Sequence, residues 1–368
     1  MVSGGPSISS GTFHALFLFD VADTIDLTKL ARIAGETAAP APLRLHAMPS
    51  PGHIQFAVPP LLLPLGSVAV GARAGAARGK IFDYGVISIR FSFPYAGSWA
   101  GFADLAVALR KDHTLALQAR RLMQGLIRDY ASALDDPHDA LVEDYYICTV
   151  ERFDGEIGAA RLLGDDAPAL ASLMMGEAHV LGAEEQREAL RLHFSYYADD
   201  LVVVQWDSAF ICDSREDAEA IEDILEFANS QLVEFRTYDA RLDAELDAIY
   251  AMEAPRRNPY GPLRRRAADA RAEQLRYLLV DIRELSDRAT NALKIIGDAY
   301  YARIYRAIAS RLSLDEWERQ IDSKLDSVGE VYRFLIDQAQ TARSEFLELI
   351  VIVLIAIEIV VGILGLRR

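Results

Sequence analysis

Apolar and polar positions along this chain change period several times, and each change predicts an element. Phe13–Val21 (FHALFLFDV) is apolar almost throughout, as in a strand buried on both faces. Asp26 then stands where an N-cap belongs, opening a short helix with the run DLTKL. A loop follows through Pro40, Pro42, Pro49 and Pro51, with short strands expected at Ile54–Val58 and Val68–Ala72. Lys80–Phe93 is β-rich, and its Tyr84–Phe93 part (YGVISIRFSF) alternates with period two. Trp99–Arg110 and Leu115–Leu134 have helical period, and Asp144–Phe153 reads as a strand. The order strand, helix, strand, strand, helix, strand predicts a ferredoxin-like (split βαβ) α+β fold with one extra helix. Its sheet is expected to be antiparallel, with helices on one face.

A second α+β block is expected over residues 154–254. It holds helices near 166–175 and 182–193. A hairpin follows, from Leu201–Gln205 through Trp206-Asp207-Ser208 to Ala209–Cys212. A long helix runs from Arg215 to Tyr250, ended by Pro255 and Pro259. A basic hinge over 255–266 carries Arg256, Arg257, Arg264, Arg265 and Arg266, which suit an acidic partner or lipid headgroups or pair with the acidic body. Residues 267–345 keep a three-four apolar spacing, broken at Ser313-Leu-Asp-Glu316, a capping-box pattern that starts a new helix. This predicts a helical hairpin or coiled coil.

Phe346–Leu366 is an apolar run interrupted only by Glu348 and Glu358. At a rise of ~1.5 Å per residue it spans ~30 Å, the thickness of bilayer hydrocarbon, so a C-terminal transmembrane helix is expected. Glu348, Glu358, Gly362 and Gly365 fall on one stripe of that helix, and acids and glycines at such positions suit helix association. Residues 1–12 are small and polar, and a disordered tail is expected there. MVSGGPSISSGT has no basic region leading into an apolar core, so the body is expected to stay in the cytoplasm, anchored to the inner membrane by a single pass.

Composition narrows the partners. A net charge of −16 argues against nucleic acid. Cys148 and Cys212 lie in apolar stretches and are expected to be small buried side chains. Gly71-Ala-Arg-Ala-Gly75-Ala-Ala-Arg-Gly79-Lys80 fails as a phosphate loop: it is one residue short, and Ile81 replaces the metal-binding hydroxyl. A flexible loop between strands is expected instead. The histidines have no metal-ligand spacing. Asp199, Asp200, Asp207 and Asp213 surround the hairpin and could hold a cation or do acid/base work, but the reading preferred is turn formation at Asp207 and capping at Asp213. Tyr196, Tyr197 and Trp206 are expected as sheet-face aromatics.

The stretches LFLFDVADTIDLTKL, FDYGVISIRFSF, SYYADDLVVVQWDSAFICDSREDAEAIEDILEFANSQLVEFRTYD and FLELIVIVLIAIEIVVGIL resemble bacterial members of the required-for-meiotic-nuclear-division family. Leu349 departs from that family's usual aromatic after the first glutamate. The resemblance implies a membrane-associated, oligomeric protein that is not an enzyme, with a mitochondrial relative supporting organellar translation. It brings no catalytic residues and no cofactor. The leading expectation is therefore a non-enzymatic, membrane-anchored scaffold, homo-oligomeric through its C-terminal helices, presenting its body to a protein partner. A ligand-sensing module and a metal-dependent enzyme using the acid-rich hairpin are the alternatives.

Overall fold

The computed structural model describes residues 6–35, 39–40, 59–253 and 298–330, together with Val351, Leu354 and Ile355. Strand β1 (Ser7–Ile25) is the axis of the sheet. It begins inside the stretch expected to be a disordered tail, because Ser7 and Ile8 already pair with Ser98 and Gly97. Strands β2 (Ala39–Pro40), β3 (Leu61–Val70), β4 (Arg73–Ile81), β5 (Val86–Ser98), β6 (Leu134–Phe153), β7 (His193–Phe194), β8 (Leu201–Val204) and β9 (Ser208–Cys212) complete it. Their order is β2-β3-β4-β5-β1-β6-β9-β8-β7. Every neighbouring pair is antiparallel except β6 and β9, which run parallel.

This corrects the ferredoxin-like expectation. The second block builds no sheet of its own. Its hairpin β8–β9 joins the first sheet through the parallel β6–β9 ladder, so nine strands form one mixed sheet among the described residues. Nor are the helices confined to one face. Helices α1 (Leu27–Ala34), α2 (Trp99–Arg110), α3 (His113–Asp129), α4 (Ala159–Leu162), α5 (Ala167–Met175) and α6 (Ala183–Ala189) come from the first 189 residues. α2 and α3 lie on β1 and β5, with Phe102, Leu105, Leu109, Leu115 and Met123 in the same apolar cluster as Phe13, Phe17, Phe19, Ile89 and Phe91. Helix α7 (Arg215–Glu253) covers the opposite face. Sheet alternation sorts the residues: odd positions of β1 enter the first core, while His14, Leu16, Leu18 and Asp20 face α7.

Local chemistry fixes the boundaries. Asp26 is the N-cap of α1, its carboxylate accepting from the Lys29 amide at 2.9 Å, as its position implies. Ser98 and Asp112 cap α2 and α3 in the same way. Gly71 to Lys80 is not a flexible loop: Gly71, at φ 58°, turns the chain from β3 into β4. The strand expected at Ile54–Val58 lies outside the described residues.

The chain divides into two compact units, 1–238 with 281–318, and 239–280 with 319–368. In the first, helix α8 (Ala299–Arg311) packs on α7. Tyr305 donates to the Gln231 side chain at 2.6 Å and stacks on Phe227. In the second, Lys324 bridges Asp239 and Asp243 at 2.7 and 2.6 Å. A new helix does follow Ser313, over 314–330. The remainder of the expected helical hairpin, 267–297 and 331–345, lies outside the described residues.

The expected transmembrane helix is also corrected. Among the described residues no helix is long and apolar enough to cross a membrane. The longest, α7, has the length at 39 residues but carries charge throughout. Of the apolar run, Val351, Leu354 and Ile355 are described, as helix, and its other residues lie outside the description. The single-pass inner-membrane placement with a cytoplasmic body falls with that helix.

Candidate functional site

Where α7 crosses the sheet, the inner surface is ionic. The strands contribute His14 from β1, Lys80 from β4, Ser88, Arg90 and Ser92 from β5, and Thr149 from β6. Helix α7 contributes Glu222, Asp223 and Glu226. Register places them together: His14 stands opposite Ser92, Lys80 opposite Ser88, and Arg78 opposite Arg90. On the helix, Glu222 and Glu226 are four residues apart and share one stripe.

The bonds interlock. Glu222 accepts from the Thr149 hydroxyl at 2.7 Å and from Arg90 Nη1 at 2.8 Å, and it lies 3.1 Å from His14 Nε2. A carboxylate can only accept, so Nε2 of His14 is the donor to Glu222, and its Nδ1 meets the Ser92 hydroxyl at 2.9 Å. Glu226 accepts from Ser88 and Arg90 Nη2, both at 2.5 Å, and from Lys80 Nζ at 2.6 Å. Lys80 also reaches Asp223 at 2.6 Å. The side chain of Glu226 is 1% exposed and that of Glu222 5%.

Electrostatics follows from this packing. Burial alone would raise both glutamates, but His14 and Arg90 hold Glu222 at about 2, and Arg90 and Lys80 hold Glu226 at about 2. Burial works against the charge on Lys80, and the Asp223 and Glu226 carboxylates outweigh it, leaving its pKa above the ordinary lysine value. Arg90 is held up by its acids against the same burial penalty. Lys80, Arg90, Glu222 and Glu226 thus stay charged at neutral pH, two cations against two carboxylates, while burial pushes the Asp223 carboxyl above its ordinary value. A proton is not readily moved by groups locked this far from 7.

The cluster floors an open cleft of about 500 Å³ between the first half of α7 and strands β1, β4 and β5. Arg78, exposed at its rim, has no ion-pair partner among the described residues. Arg215 and Glu219 edge it from the helix, paired to each other at 3.3 Å.

The acids singled out in the sequence do not form one group: three share one end of the hairpin and Asp207 stands at the other. The hairpin pairs Leu201 with Cys212 at one end and Val204 with Ala209 at the other. Asp199, Asp200 and Asp213 therefore sit at the first end and Asp207 at the second. Asp207 is tied to Arg110 of α2, whose guanidinium also lies over the Tyr146 ring. Asp200 accepts from the Tyr196 and Tyr197 amides at 2.7 and 2.6 Å. Burial, with the charges of Asp217, Asp200 and Asp199, pushes Asp213 up to about 7. Among the described residues no group of acids, histidines and cysteines could hold a metal ion. Cys148 and Cys212 are buried free thiols, as expected, and burial pushes each up to about 12. Tyr196, Tyr197 and Trp206 are not sheet-face aromatics, being 61%, 65% and 61% exposed. Arg256, Arg257, Arg264, Arg265, Arg266, Glu348, Glu358, Gly362 and Gly365 lie outside the described residues.

Sequence reading missed the ionic cluster, although two signals point to it. Ser88, Arg90 and Ser92 make one polar face of the alternating strand VISIRFSF, and Glu222 and Glu226 make an acidic stripe in a helix otherwise rich in Ile, Leu, Phe and Ala. A basic strand face and an acidic helix stripe are complementary.

The family model described as "Uncharacterized protein MJ0711, N-terminal domain" matches residues 10–219. The uncharacterized protein MJ0711 of Methanocaldococcus jannaschii is 22% identical over 225 residues, covering 61% of this chain and 67% of that protein. No solved structure matches the chain.

Proposed function

The chain belongs to the MJ0711 N-terminal-domain family, and from that premise we propose that it is a non-enzymatic binding module: a scaffold that self-associates and presents its α+β body to a protein partner. The mutual saturation of the ionic cluster carries this reading. Lys80, Arg90, Glu222, Asp223 and Glu226 are engaged with one another, which makes them a clamp between helix and sheet rather than a set of poised catalytic groups. A sheet covered on both faces, with a charged helix clamped to one of them, is a stiff body on which a recognition surface keeps its shape. The finer kinship, with the required-for-meiotic-nuclear-division family and its bacterial members, belongs to this proposal. The resemblance of residues 16–30, 82–93 and 195–239 supports it, and it adds the expectation of an oligomer. Light scattering of the purified full chain, with crosslinking in cells, tests the reading. Oligomers and a reproducible crosslinked partner are expected. A strict monomer that crosslinks to nothing overturns it.

A second reading, a ligand-sensing module, is favoured by the cleft itself. Its volume of about 500 Å³ is of the size that small-molecule sites have, and Arg78 at the rim offers a guanidinium to an anionic group. A thermal-shift screen with nucleotides and amino acids tests it. A hit is expected to be weakened in the Arg78→Ala variant, and a screen in which nothing raises the melting temperature counts against the reading.

A further inference from the structure

At the end of the β8–β9 hairpin away from Asp207, four tyrosines form a chain of rings. Tyr196 meets Tyr197 at 4.8 Å and Tyr300 at 5.4 Å, both edge to face, and Tyr300 meets Tyr301 at 5.7 Å. The first two are about two-thirds exposed, which is unusual for adjacent aromatics on a short segment. Edge-to-face pairs at 80° and 70° make a corner whose walls are ring faces, and ring faces attract cations. One wall already does so: the Arg303 guanidinium lies 5.6 Å from the centre of the Tyr300 ring.

Carboxylates back the corner. Asp200 is fixed behind it by the Tyr196 and Tyr197 amides. Asp213 acts electrostatically on Tyr300 and is itself acted on by Asp199, Asp200 and Asp217, and Asp217 accepts from the Tyr301 hydroxyl at 2.9 Å. These like charges repel one another, and an added cation relieves that repulsion. The Tyr300 hydroxyl is buried against the Asp200 carboxylate, which holds that ring in place as a wall of the corner.

We propose that this corner of Tyr196, Tyr197 and Tyr300, backed by Asp200 and Asp213, binds the guanidinium or ammonium group of a basic segment on the protein partner. The inference rests on the partner-binding reading above and supplies its chemistry. Rings take the cation on their faces, and the carboxylates supply its countercharge.

The test uses the full chain and N-acetyl-arginine amide, with the neutral citrulline amide as control, followed by calorimetry. A single charge avoids the diffuse attraction that any polycation has for a chain of net charge −16. Binding of the arginine compound but not of citrulline is expected. Tyr197→Ala should weaken it about tenfold, Tyr197→Phe should retain it, and Trp206→Ala, at the far end of the hairpin, should leave it unchanged. Equal binding by arginine and citrulline, or equal loss in Tyr197→Ala and Trp206→Ala, overturns the site. The crosslinking experiment separates the two ideas. A crosslinked partner with no arginine binding retains the scaffold and removes the corner. Arginine binding in a monomer that crosslinks to nothing removes the partner segment and leaves a site for a free organic cation.

Discussion

Individual side chains in the α7 clamp are expected to have large effects because their partners are buried. In Arg90→Met, Glu222 and Glu226 lose their shared guanidinium and keep a charge in a dry site. Loss of one partner of a buried pair typically costs about 3–5 kcal/mol, and urea unfolding should show a loss of that order. Removing Glu222 in the same chain (Arg90→Met with Glu222→Leu) should recover part of it, because the orphaned charge is gone. The same pairs set an acid limit. With folded pKa values of about 2 against an ordinary 4.5, both glutamates bind fewer protons in the folded state between those values. Their contribution is fully present above about pH 5 and is lost as pH falls through 4 toward 2. Melting temperature should therefore fall over that window, and fall less in Glu222→Gln. The two cysteines supply a third prediction. With thiols pushed up to about 12 by burial, neither Cys148 nor Cys212 should be alkylated by iodoacetamide at pH 8 until the protein unfolds, which mass spectrometry can follow.

Among elements, the β4–β5 connection is the most constrained. Gly85 sits at φ 90°, and a Cβ there would lie 1.7 Å from the Ala22 carbonyl oxygen. The backbone cannot retreat, because the Gly85 carbonyl accepts from the Val21 amide at 3.0 Å and the Asp83 carbonyl from Ile25 at 2.7 Å. Gly85→Ala thus forces both a strained dihedral and a clash with main chain, and a loss of roughly 3 kcal/mol or more is expected in denaturant unfolding. At this scale much was legible. The alternation of Tyr84–Phe93 marked β5, Asp26 marked the start of α1, and 201–212 gave the hairpin and 215–250 the long helix. Gly71–Lys80 was not legible. Its small residues carry no apolar alternation, and only pairing with β3 and β5 makes it a strand. Nor was the start of β1 at Ser7, since a polar stretch becomes a strand when its neighbours hydrogen-bond to it.

For the whole molecule, the family match ends at residue 219, before the helix stripe that neutralises Lys80 and Arg90. A fragment ending there would leave both cations beneath an uncovered sheet face that also carries Leu16, Leu18 and Ile147. It is expected to aggregate or to melt without a cooperative transition, while a chain ending at Glu330, which retains α7 and α8, should melt cooperatively. Calorimetry of the two distinguishes them. Sequence alone determined the locally encoded features: strand and helix periods, caps, the hairpin turn and the burial of the cysteines. These depend on neighbours a few residues away. The single mixed sheet, its second covered face, the ionic clamp and the exposure of Tyr196 and Tyr197 were decided only in three dimensions. Each depends on strands and helices 60 to 210 residues apart meeting in one register, and a period along the chain does not encode which partner a polar face will find.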